Sequence, residues 1–332
     1  MRVEGSVCVA VMGTGSAGMR HLWVLQKIPE VRPIAVPRRG ERCRELEEVG
    51  FVVGRNIKHA AEMGAKFCIV ASDTGRHMED ALVALECGLD VLVEKPLAPD
   101  AQQASVLSHR VKETNRKLFV GCVMRFSESL NQFRNLLSRV GRLHSVRIEC
   151  QSYLPDWRPQ RPYRDSYSAR AEDGGVLRDL IHEVDYAGWL FGWPVAVQAT
   201  IRNLGRLGIA ADEITDLMWE GREGVVVSLT LDYLSRPPRR SMKAMGEWGT
   251  LEWDGIEGTV KLALAGGSSE VLRSSQTRDE TFLDQANAFI NVAKGPRDSR
   301  LATGDEGVKA LAVCDAARMA SASRREETVE YQ

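Results

Sequence analysis

Two side chains that can exchange a proton stand three residues apart in GGVLRDLIHEVDYAGWLFG, which covers residues 174–192. Apolar residues recur through this segment with helical spacing, so it predicts one helix that carries Asp179 and His182 on a common face. A histidine exchanges a proton near neutral pH, and an adjacent carboxylate can orient its ring. The pair is typical of acid–base chemistry at a hydroxyl group; the alternative is a hydrogen-bonded histidine in the core.

A glycine-rich turn lies in VMGTGSAGMRHL, residues 11–22, between an apolar run and a helical pattern. In that context the first glycine permits a tight turn, the second admits a pyrophosphate, and the third allows close packing of helix on strand. The start of the helix adds free N–H groups and partial positive charge. The turn therefore predicts a dinucleotide site formed by Gly13, Thr14, Gly15, Ser16, Ala17 and Gly18, with an ordinary tight turn as the alternative.

Arg38 and Arg39 follow Pro37, at the position where an NAD-binding chain would place an acidic residue for the ribose. A guanidinium suits a 2′-phosphate, because it donates paired, charge-assisted hydrogen bonds. The arginines favour NADP(H) as the cofactor, with NAD(H) as the alternative. A solvated basic turn would explain the same residues without a ligand.

The first third of the chain alternates short apolar runs with helical patterns. The predicted strands are residues 6–13, 32–37, 65–72, 89–96 and 117–124. The predicted helices include residues 17–28 and 100–115. This alternation predicts a Rossmann-type, doubly wound parallel sheet with helices on both faces.

After about residue 123 the pattern changes. A long loop precedes the helix of residues 174–192, and alternating strand patterns with glycine turns follow it. We expect an α+β domain with a large, mostly antiparallel open sheet. The predicted domains are 1–122 for the dinucleotide and 123–332 for substrate binding and oligomerisation.

Three segments in this order resemble the glucose–fructose oxidoreductase/inositol dehydrogenase/MocA family: the glycine turn, VEKPLA (93–98) and GGVLRDLIHEVD (174–185). VMRF (123–126) fits the same pattern. The resemblance implies that Lys95, Asp179 and His182 occupy catalytic positions. It also implies that Glu94 and Lys95 lie at a strand end beside the nicotinamide, often with a cis Lys–Pro bond. Alone, the Glu-Lys-Pro run would read as a strand end with a solvated lysine.

Ser72 ends the third predicted strand and His77 follows it, and we expect both near the cofactor, although capping or packing explains His77 equally well. Forked donors and aromatic rings bind sugar faces and anionic groups. The long loop of residues 155–173 offers both kinds of side chain. The predicted substrate contacts are Lys95, Arg125, Trp157, Arg158, Tyr163, Arg164, Asp179 and His182. Packing of the loop on a neighbouring subunit is the alternative.

The resemblance implies an NAD(P)-dependent dehydrogenase that transfers hydride at a carbinol carbon of a sugar, a cyclitol or a sugar derivative. A second interpretation is a redox-neutral enzyme that oxidises, eliminates and then reduces its sugar. A third is a regulator that binds dinucleotide without turnover. Relatives commonly form dimers or tetramers through the open sheet, so we expect a homodimer or homotetramer.

Composition argues against other classes of protein. The formal net charge is −1, which disfavours a general nucleic-acid binder. Seven cysteines are scattered without a Cys-x-x-Cys pair, and no apolar run is long enough to span a bilayer, so we expect a cytoplasmic protein without a membrane segment. The six histidines show no metal-ligand spacing, and we expect no metal site. His21 and His59 are interpreted as ordinary helix residues.

Overall fold

The computed structural model describes residues 6–331 and separates the chain into two units. Unit 1 comprises the chain up to Val123 together with Thr277–Val308. Unit 2 comprises Met124–Gln276 and the chain from Lys309 onward. The predicted division at 122/123 lies next to the first crossing, but it placed residues 277–308 in the wrong unit.

Strands alternate with helices in the first part of the described chain, and strands predominate in the later part. The strands are β1 (Val7–Met12), β2 (Val31–Val36), β3 (Val52–Val53), β4 (Ala65–Val70), β5 (Asp90–Val93), β6 (Leu118–Val120), β7 (Leu143–Gln151), β8 (Ala196–Arg202), β9 (Ile214–Glu220), β10 (Val226–Asp232), β11 (Arg239–Gly246), β12 (Gly249–Asp254), β13 (Thr259–Leu264), β14 (Ser269–Arg273), β15 (Ala302–Thr303) and β16 (Glu327–Thr328). The α-helices are α1 (Ser16–Gln26), α2 (Glu41–Glu48), α3 (Ile57–Glu62), α4 (His77–Glu86), α5 (Ala101–Thr114), α6 (Glu128–Leu136), α7 (Val176–Asp179), α8 (Ile181–Phe191), α9 (Arg278–Asn291) and α10 (Gly304–Ser323).

Unit 1 contains a seven-stranded sheet in the order β15-β6-β5-β4-β1-β2-β3, in which only β15 runs antiparallel to its neighbour. The central strands are continuous apolar runs because helices cover both of their faces. The last residues of four strands are in register: Met12 pairs with Val36 and with Val70, and Val70 pairs with Val93. The segments that follow β1, β2, β4 and β5 therefore emerge at one edge of the sheet. The predicted doubly wound fold is confirmed.

The segment of residues 277–308 completes unit 1 from the other end of the chain. Strand β15 pairs with β6 and forms the edge of the sheet. Helix α9 packs on α1, where the ring of Phe282 lies 5.1 Å from that of His21. Phe289, further along α9, packs edge-on against Phe67 of β4 at 5.2 Å. This packing depends on residues that are remote in sequence, which is why local patterns did not reveal it.

Unit 2 contains a nine-stranded sheet in the order β14-β13-β12-β11-β7-β10-β9-β8-β16. Its pairs are antiparallel except for β7 with β10. One row of directly paired residues is buried: Leu262, Leu251, Ala244, Val146, Val227, Trp219 and Val197. The next row, on the other face, is accessible, and all of its residues except Met218 are polar: Lys261, Glu252, Lys243, Arg147, Ser228, Met218 and Gln198. The expected open sheet, with one face left uncovered within the unit, is confirmed.

The predicted helix of residues 174–192 is divided into α7 and α8. The division falls at Leu180, whose φ of −97° and ψ of 29° leave the helical region. Asp179 is consequently the last residue of α7, and His182 lies in the first turn of α8. The expectation of one continuous helix was wrong, although the apolar residues on either side of the break are buried as predicted: Val176, Leu177, Ile181 and Val184.

Candidate functional site

The three glycines of the first turn have two different environments. A Cβ at Gly13 would lie 2.6 Å from the carbonyl oxygen of Ala71, and the φ of Gly13 is +87°. A Cβ at Gly18 would lie 1.9 Å from the carbonyl oxygen of Gly13. At Gly15, in contrast, an added Cβ meets nothing within 4 Å beyond its chain neighbours. Gly13 and Gly18 thus allow close packing, and Gly15 borders open space.

Helix α1 begins directly after Gly15, and no side chain caps its first N–H groups. Its first turn also carries no acidic residue. Of the remaining predicted contacts, Thr14 and Ala17 are half-buried and Ser16 is exposed. An open, uncapped helix start beside a glycine fits the pyrophosphate of a dinucleotide.

Arg38 is held by an acidic residue of α4. Its Nη1 donates to Asp80 Oδ1 at 2.9 Å, and the arginine side chain is 35% exposed. Asp80 also accepts from the hydroxyl of Ser72 at 2.7 Å. Burial raises the pKa of Asp80 above its ordinary value, and the hydrogen bond from Ser72 opposes that rise. Arg39 is exposed.

His77 opens α4 and is buried between two backbone carbonyls. Its Nδ1 lies 2.8 Å from the oxygen of Pro96, and its Nε2 lies 2.9 Å from the oxygen of Ser72. Burial lowers the pKa of His77, and the two carbonyls offset part of this effect. The ring thus connects the end of β4 with the end of β5.

Glu94, directly after β5, forms a pair with a histidine of α1. The distance from His21 Nε2 to Glu94 Oε1 is 2.7 Å, and His21 is only 1% exposed. Burial alone would raise the pKa of Glu94, but the hydrogen bond from His21 and nearby positive charge outweigh it and lower the pKa. A Cβ at Gly121 would lie 3.1 Å from Glu94, so the carboxylate is also closely packed. His21 is therefore a partner of the Glu-Lys-Pro segment, which the sequence interpretation missed.

Lys95 is half-buried, and its backbone N–H donates to Glu94 Oε2 at 3.3 Å. The Lys95–Pro96 peptide bond is cis. Since Lys95 follows β5, it emerges at the same sheet edge as the glycine turn and Ser72.

In unit 2, a buried carboxylate fixes the start of α7. A Cβ at Gly175, whose φ is +94°, would lie 2.3 Å from Asp212 Oδ1. Asp212 Oδ2 accepts from the N–H of Leu177 at 3.1 Å, and Arg318 donates to Oδ1 at 3.0 Å. This capping sets the direction in which α7 delivers Asp179.

Asp179 is 3% exposed and lies among tyrosines. Its Oδ2 accepts from the Tyr233 hydroxyl at 2.6 Å. Tyr167 also hydrogen-bonds to Asp179, and burial together with the carboxylate charge raises the pKa of both phenols well above the ordinary value. His182, three residues after Asp179, is half-buried. Because their pKa is raised, Tyr167 and Tyr233 stay protonated across the physiological pH range and can donate to Asp179.

Arg125, a predicted substrate contact, forms a buried ion pair. Its Nε and Nη2 donate to the two oxygens of Asp185 at 2.9 and 2.7 Å, and the side chain is 0% exposed. The guanidinium also lies 5.2 Å from the ring centre of Trp189. A substrate contact would require this pair to break, so we leave Arg125 out of the proposed substrate contacts and treat it as a scaffold for α8.

The loop of residues 155–173 contributes side chains in two different ways. The ring of Trp157 packs edge-on against Tyr233 at 5.3 Å, and 37% of this residue is exposed. Arg158 is exposed, and its positive charge opposes the rise in the pKa of Tyr167. Tyr163 and Arg164 instead donate to the backbone oxygen of Leu207 at 2.9 and 3.2 Å. Trp157 and Arg158 thus lie next to the tyrosines that hold Asp179, whereas Tyr163 and Arg164 anchor the loop.

Two other features are absent from residues 6–331. Within that range there is no group of three or more His, Cys, Asp or Glu side chains that could hold a metal ion. No helix in the same range is both long enough and apolar enough to cross a bilayer.

Comparison with family profiles matches both halves of the chain. Residues 7–122 match the oxidoreductase family with an NAD-binding Rossmann fold, and residues 133–252 match the GFO/IDH/MocA C-terminal domain. The two matches lie on the parallel sheet and on the antiparallel sheet, respectively.

Individual relatives support the same assignment. The chain is 27% identical to myo-inositol dehydrogenase Hyg17 of Streptomyces leeuwenhoekii over 95% of this chain and 97% of the relative. It is 25% identical to a 2,7-anhydro-N-acetylneuraminate hydratase of Mediterraneibacter gnavus over 84% and 72% of the two chains. Its fold is similar to that of a solved levoglucosan dehydrogenase in complex with NADH, with a TM-score of 0.88, 18% identity, and coverage of 98% and 100%.

Proposed function

We propose the following function from the fact that this chain belongs to the Gfo/Idh/MocA family of oxidoreductases. The protein transfers hydride between nicotinamide and a carbinol or carbonyl carbon of a sugar, cyclitol or sugar derivative. The observation that carries the proposal is the common carboxyl edge of β1, β4 and β5, from which the glycine turn, Ser72 and Lys95 emerge. Ligands of open parallel sheets bind at this edge.

The residues of unit 1 divide into those that hold the cofactor and one that serves the reaction. Gly13–Gly18 would hold the pyrophosphate, Arg38 and Arg39 the adenosine end, and Ser72, His77 and Glu94 would surround the remainder. The nicotinamide, when bound, supplies or accepts the hydride. The Lys95 ammonium would orient the substrate hydroxyl and stabilise negative charge that develops on its oxygen.

In unit 2, His182 would act as the general base that removes the hydroxyl proton during oxidation, and as the acid that returns it during reduction. Asp179 would stabilise the positive charge that His182 acquires, while its bonds to Tyr233 and Tyr167 hold the carboxylate in place. Trp157 and Arg158 are the proposed contacts for the rest of the substrate. Tyr163 and Arg164 would support that loop.

For the nucleotide, we propose a preference for NADP(H), because Arg38 and Arg39 follow β2 and can bind a 2′-phosphate. NAD(H) is the alternative. The family is described as NAD-binding, and the similar levoglucosan dehydrogenase was solved with NADH. For the compartment, we propose the cytoplasm, because the seven cysteines are scattered along the sequence without a Cys-x-x-Cys pair.

The test is turnover of purified protein with sugars, cyclitols and sugar acids, followed by NADPH and NADH absorbance. On the best substrate, His182→Ala and Lys95→Ala should each lower kcat by about a hundred- to ten-thousandfold. Neither residue is assigned to the pyrophosphate, so cofactor affinity should stay close to wild type. His144→Ala, on the exposed part of β7, is the matched control. Turnover within threefold of wild type in both variants would contradict the assigned roles.

A second candidate is a redox-neutral reaction on a sugar, favoured by the similarity to a hydratase. In that case the same residues would support transient oxidation, elimination and return of the hydride. Product formation without net change in NADPH, by protein that retains its cofactor, would identify this reaction. Stoichiometric oxidation or reduction of added cofactor would exclude it.

A further inference from the structure

The first turn of α4 carries two buried polar side chains that act on the same residue. His77 and Asp80 are three positions apart and are 2% and 3% exposed. His77 reaches the backbone oxygen of Ser72, and Asp80 accepts from the hydroxyl of Ser72. Ser72 is therefore fixed through both its main chain and its side chain.

The second nitrogen of His77 reaches a different strand end. Nδ1 lies 2.8 Å from the oxygen of Pro96, the residue after Lys95. Strands β4 and β5 are neighbours, and both end at the edge assigned to the ligands. One side chain thus spans the gap between the segment that carries Ser72 and the segment that carries Lys95.

Both neighbours of the ring are carbonyl oxygens, which only accept hydrogen bonds. The imidazolium donates to both oxygens at once, and the neutral ring donates to one of them. In either state a buried donor aimed at Pro96 or Ser72 restrains that backbone, because an unsatisfied carbonyl in this environment is costly.

We propose that His77 is a positioning residue: it fixes Pro96, and with it Lys95, relative to the cofactor-binding segment at Ser72. The proposal rests on the proposed function only for the catalytic role of Lys95. Because burial lowers the pKa of His77, the ring is neutral near pH 7 and donates to one of the two oxygens. Loss of a donor to Pro96 should impair catalysis, and loss of a donor to Ser72 should impair cofactor binding.

Two conservative variants separate these effects. The side-chain amide of His77→Asn can place its N–H₂ where Nδ1 lies and so keeps a donor for Pro96. The longer amide of His77→Gln can place its N–H₂ where Nε2 lies and keeps a donor for Ser72. His77→Leu fills the space without a donor, and His109→Ala, an exposed histidine of α5, is the control.

With the ring proton on Nδ1, His77→Gln should lower kcat about three- to tenfold, the size expected for one net hydrogen bond, and His77→Asn should lower it less. With the proton on Nε2, His77→Asn should raise the cofactor Kd about three- to tenfold, and His77→Gln should raise it less. His77→Leu should change the quantity that the wild-type donor controls. Equal effects of Asn and Gln on both quantities, or retention of both in the Leu variant, would overturn the proposal and leave His77 as a packing residue.

Two readouts need no substrate and therefore separate this proposal from the proposed function. Cofactor Kd is measured by NAD(P)H fluorescence. The rate at which trinitrobenzenesulfonate labels Lys95, followed by mass spectrometry, reports the environment of its amine. With the ring proton on Nδ1, we expect that rate to change more in His77→Gln than in His77→Asn. If no sugar is turned over but these differences are found, the proposed function fails and the positioning role stands. Melting curves show whether each variant is folded, and the Asn–Gln comparison decides the outcome if the Leu variant is not.

Discussion

Arg38 bears on the choice between NADP(H) and NAD(H), because its guanidinium already donates to Asp80. A 2′-phosphate would add a second anion to the same guanidinium, whose side chain is still 35% exposed. We predict that wild type binds NADPH more tightly than NADH by about 1–3 kcal/mol, because one guanidinium would hold the 2′-phosphate. Arg38→Ala should remove most of that difference, as measured by fluorescence titration.

The control for this titration is Arg110→Ala, an exposed arginine of α5 that pairs with Glu113. It changes the net charge equally but lies on another element. Equal affinity of the wild-type protein for both nucleotides would show that the pair with Asp80 keeps Arg38 from binding a phosphate.

The site residues that the sequence suggested are those whose signal is local. Asp179 and His182 stand out by type and spacing, and Lys95 stands out by the resemblance of its segment to the family. Tyr233 did not, because its partner Asp179 lies 54 positions away and nothing near Tyr233 marks it. Arg125 was assigned to substrate for the same reason, since its partner Asp185 lies 60 positions further along.

Among the elements, the glycine turn permits a comparison of two substitutions with opposite expectations. Gly18→Ala would place a methyl group 1.9 Å from the oxygen of Gly13, so β1 and α1 would have to separate. We expect a loss of about 1–3 kcal/mol or more in unfolding free energy, as for overpacking in a core. Gly15→Ala meets no such obstacle and should melt like wild type while it weakens cofactor binding.

Thermal melts and fluorescence titrations of the two variants check this comparison. Gly266→Ala, in the turn after β13, also meets nothing within 4 Å and serves as a neutral control. Normal cofactor affinity in Gly15→Ala would mean that the open space beside this residue is not where the pyrophosphate lies.

The pair of His21 with Glu94 ties α1 to the end of β5 and predicts a dependence on pH. The pKa of Glu94 is lowered in the folded protein, so its stabilising effect is complete above the unfolded value of about 4.3 and is lost as the pH falls through the folded pKa. His21→Leu removes the donor and should cost about 1–3 kcal/mol at pH 7 and less at pH 4. Urea unfolding at the two pH values measures both costs, with His109→Leu as control. A cost that does not change with pH would mean that Glu94 is not ionised in the wild-type pair.

Helices and strands could be predicted wherever the pattern of apolar residues continued without interruption, as in the strands of unit 1. The break at Leu180 could not, because the apolar spacing continues through it. What marks the break is the tertiary environment: Asp212 caps the start of α7, and Tyr233 holds its last residue. Both partners belong to the sheet region of unit 2, far along the chain.

For the whole molecule, the uncovered face of the nine-stranded sheet leads to a prediction about assembly. Met218, Val226 and Val271 are exposed there by 42%, 43% and 52% among charged residues. We predict a homodimer or homotetramer that covers this face. The double variant Met218→Lys/Val226→Lys should shift it toward monomer in light scattering at micromolar concentration, because the contact would have to bury unpaired charge.

Val106→Lys tests whether any exposed apolar residue would have the same effect. Val106 lies on α5 of unit 1 and is 54% exposed, so the same change there should leave the oligomer intact. A monomeric wild-type protein would refute the expectation of assembly.

The return of residues 277–308 to unit 1 has a consequence for how the protein is made on the ribosome. When residue 123 has emerged, β6 has no partner on its outer edge, and the side of α1 that will meet α9 is uncovered. The missing pieces follow only after residues 124–276 have been translated, which takes roughly ten to thirty seconds at the usual rate of synthesis. During that interval the nascent chain exposes a strand edge and the side of α1 that α9 later covers, so it should be a substrate for chaperones that act on translating ribosomes.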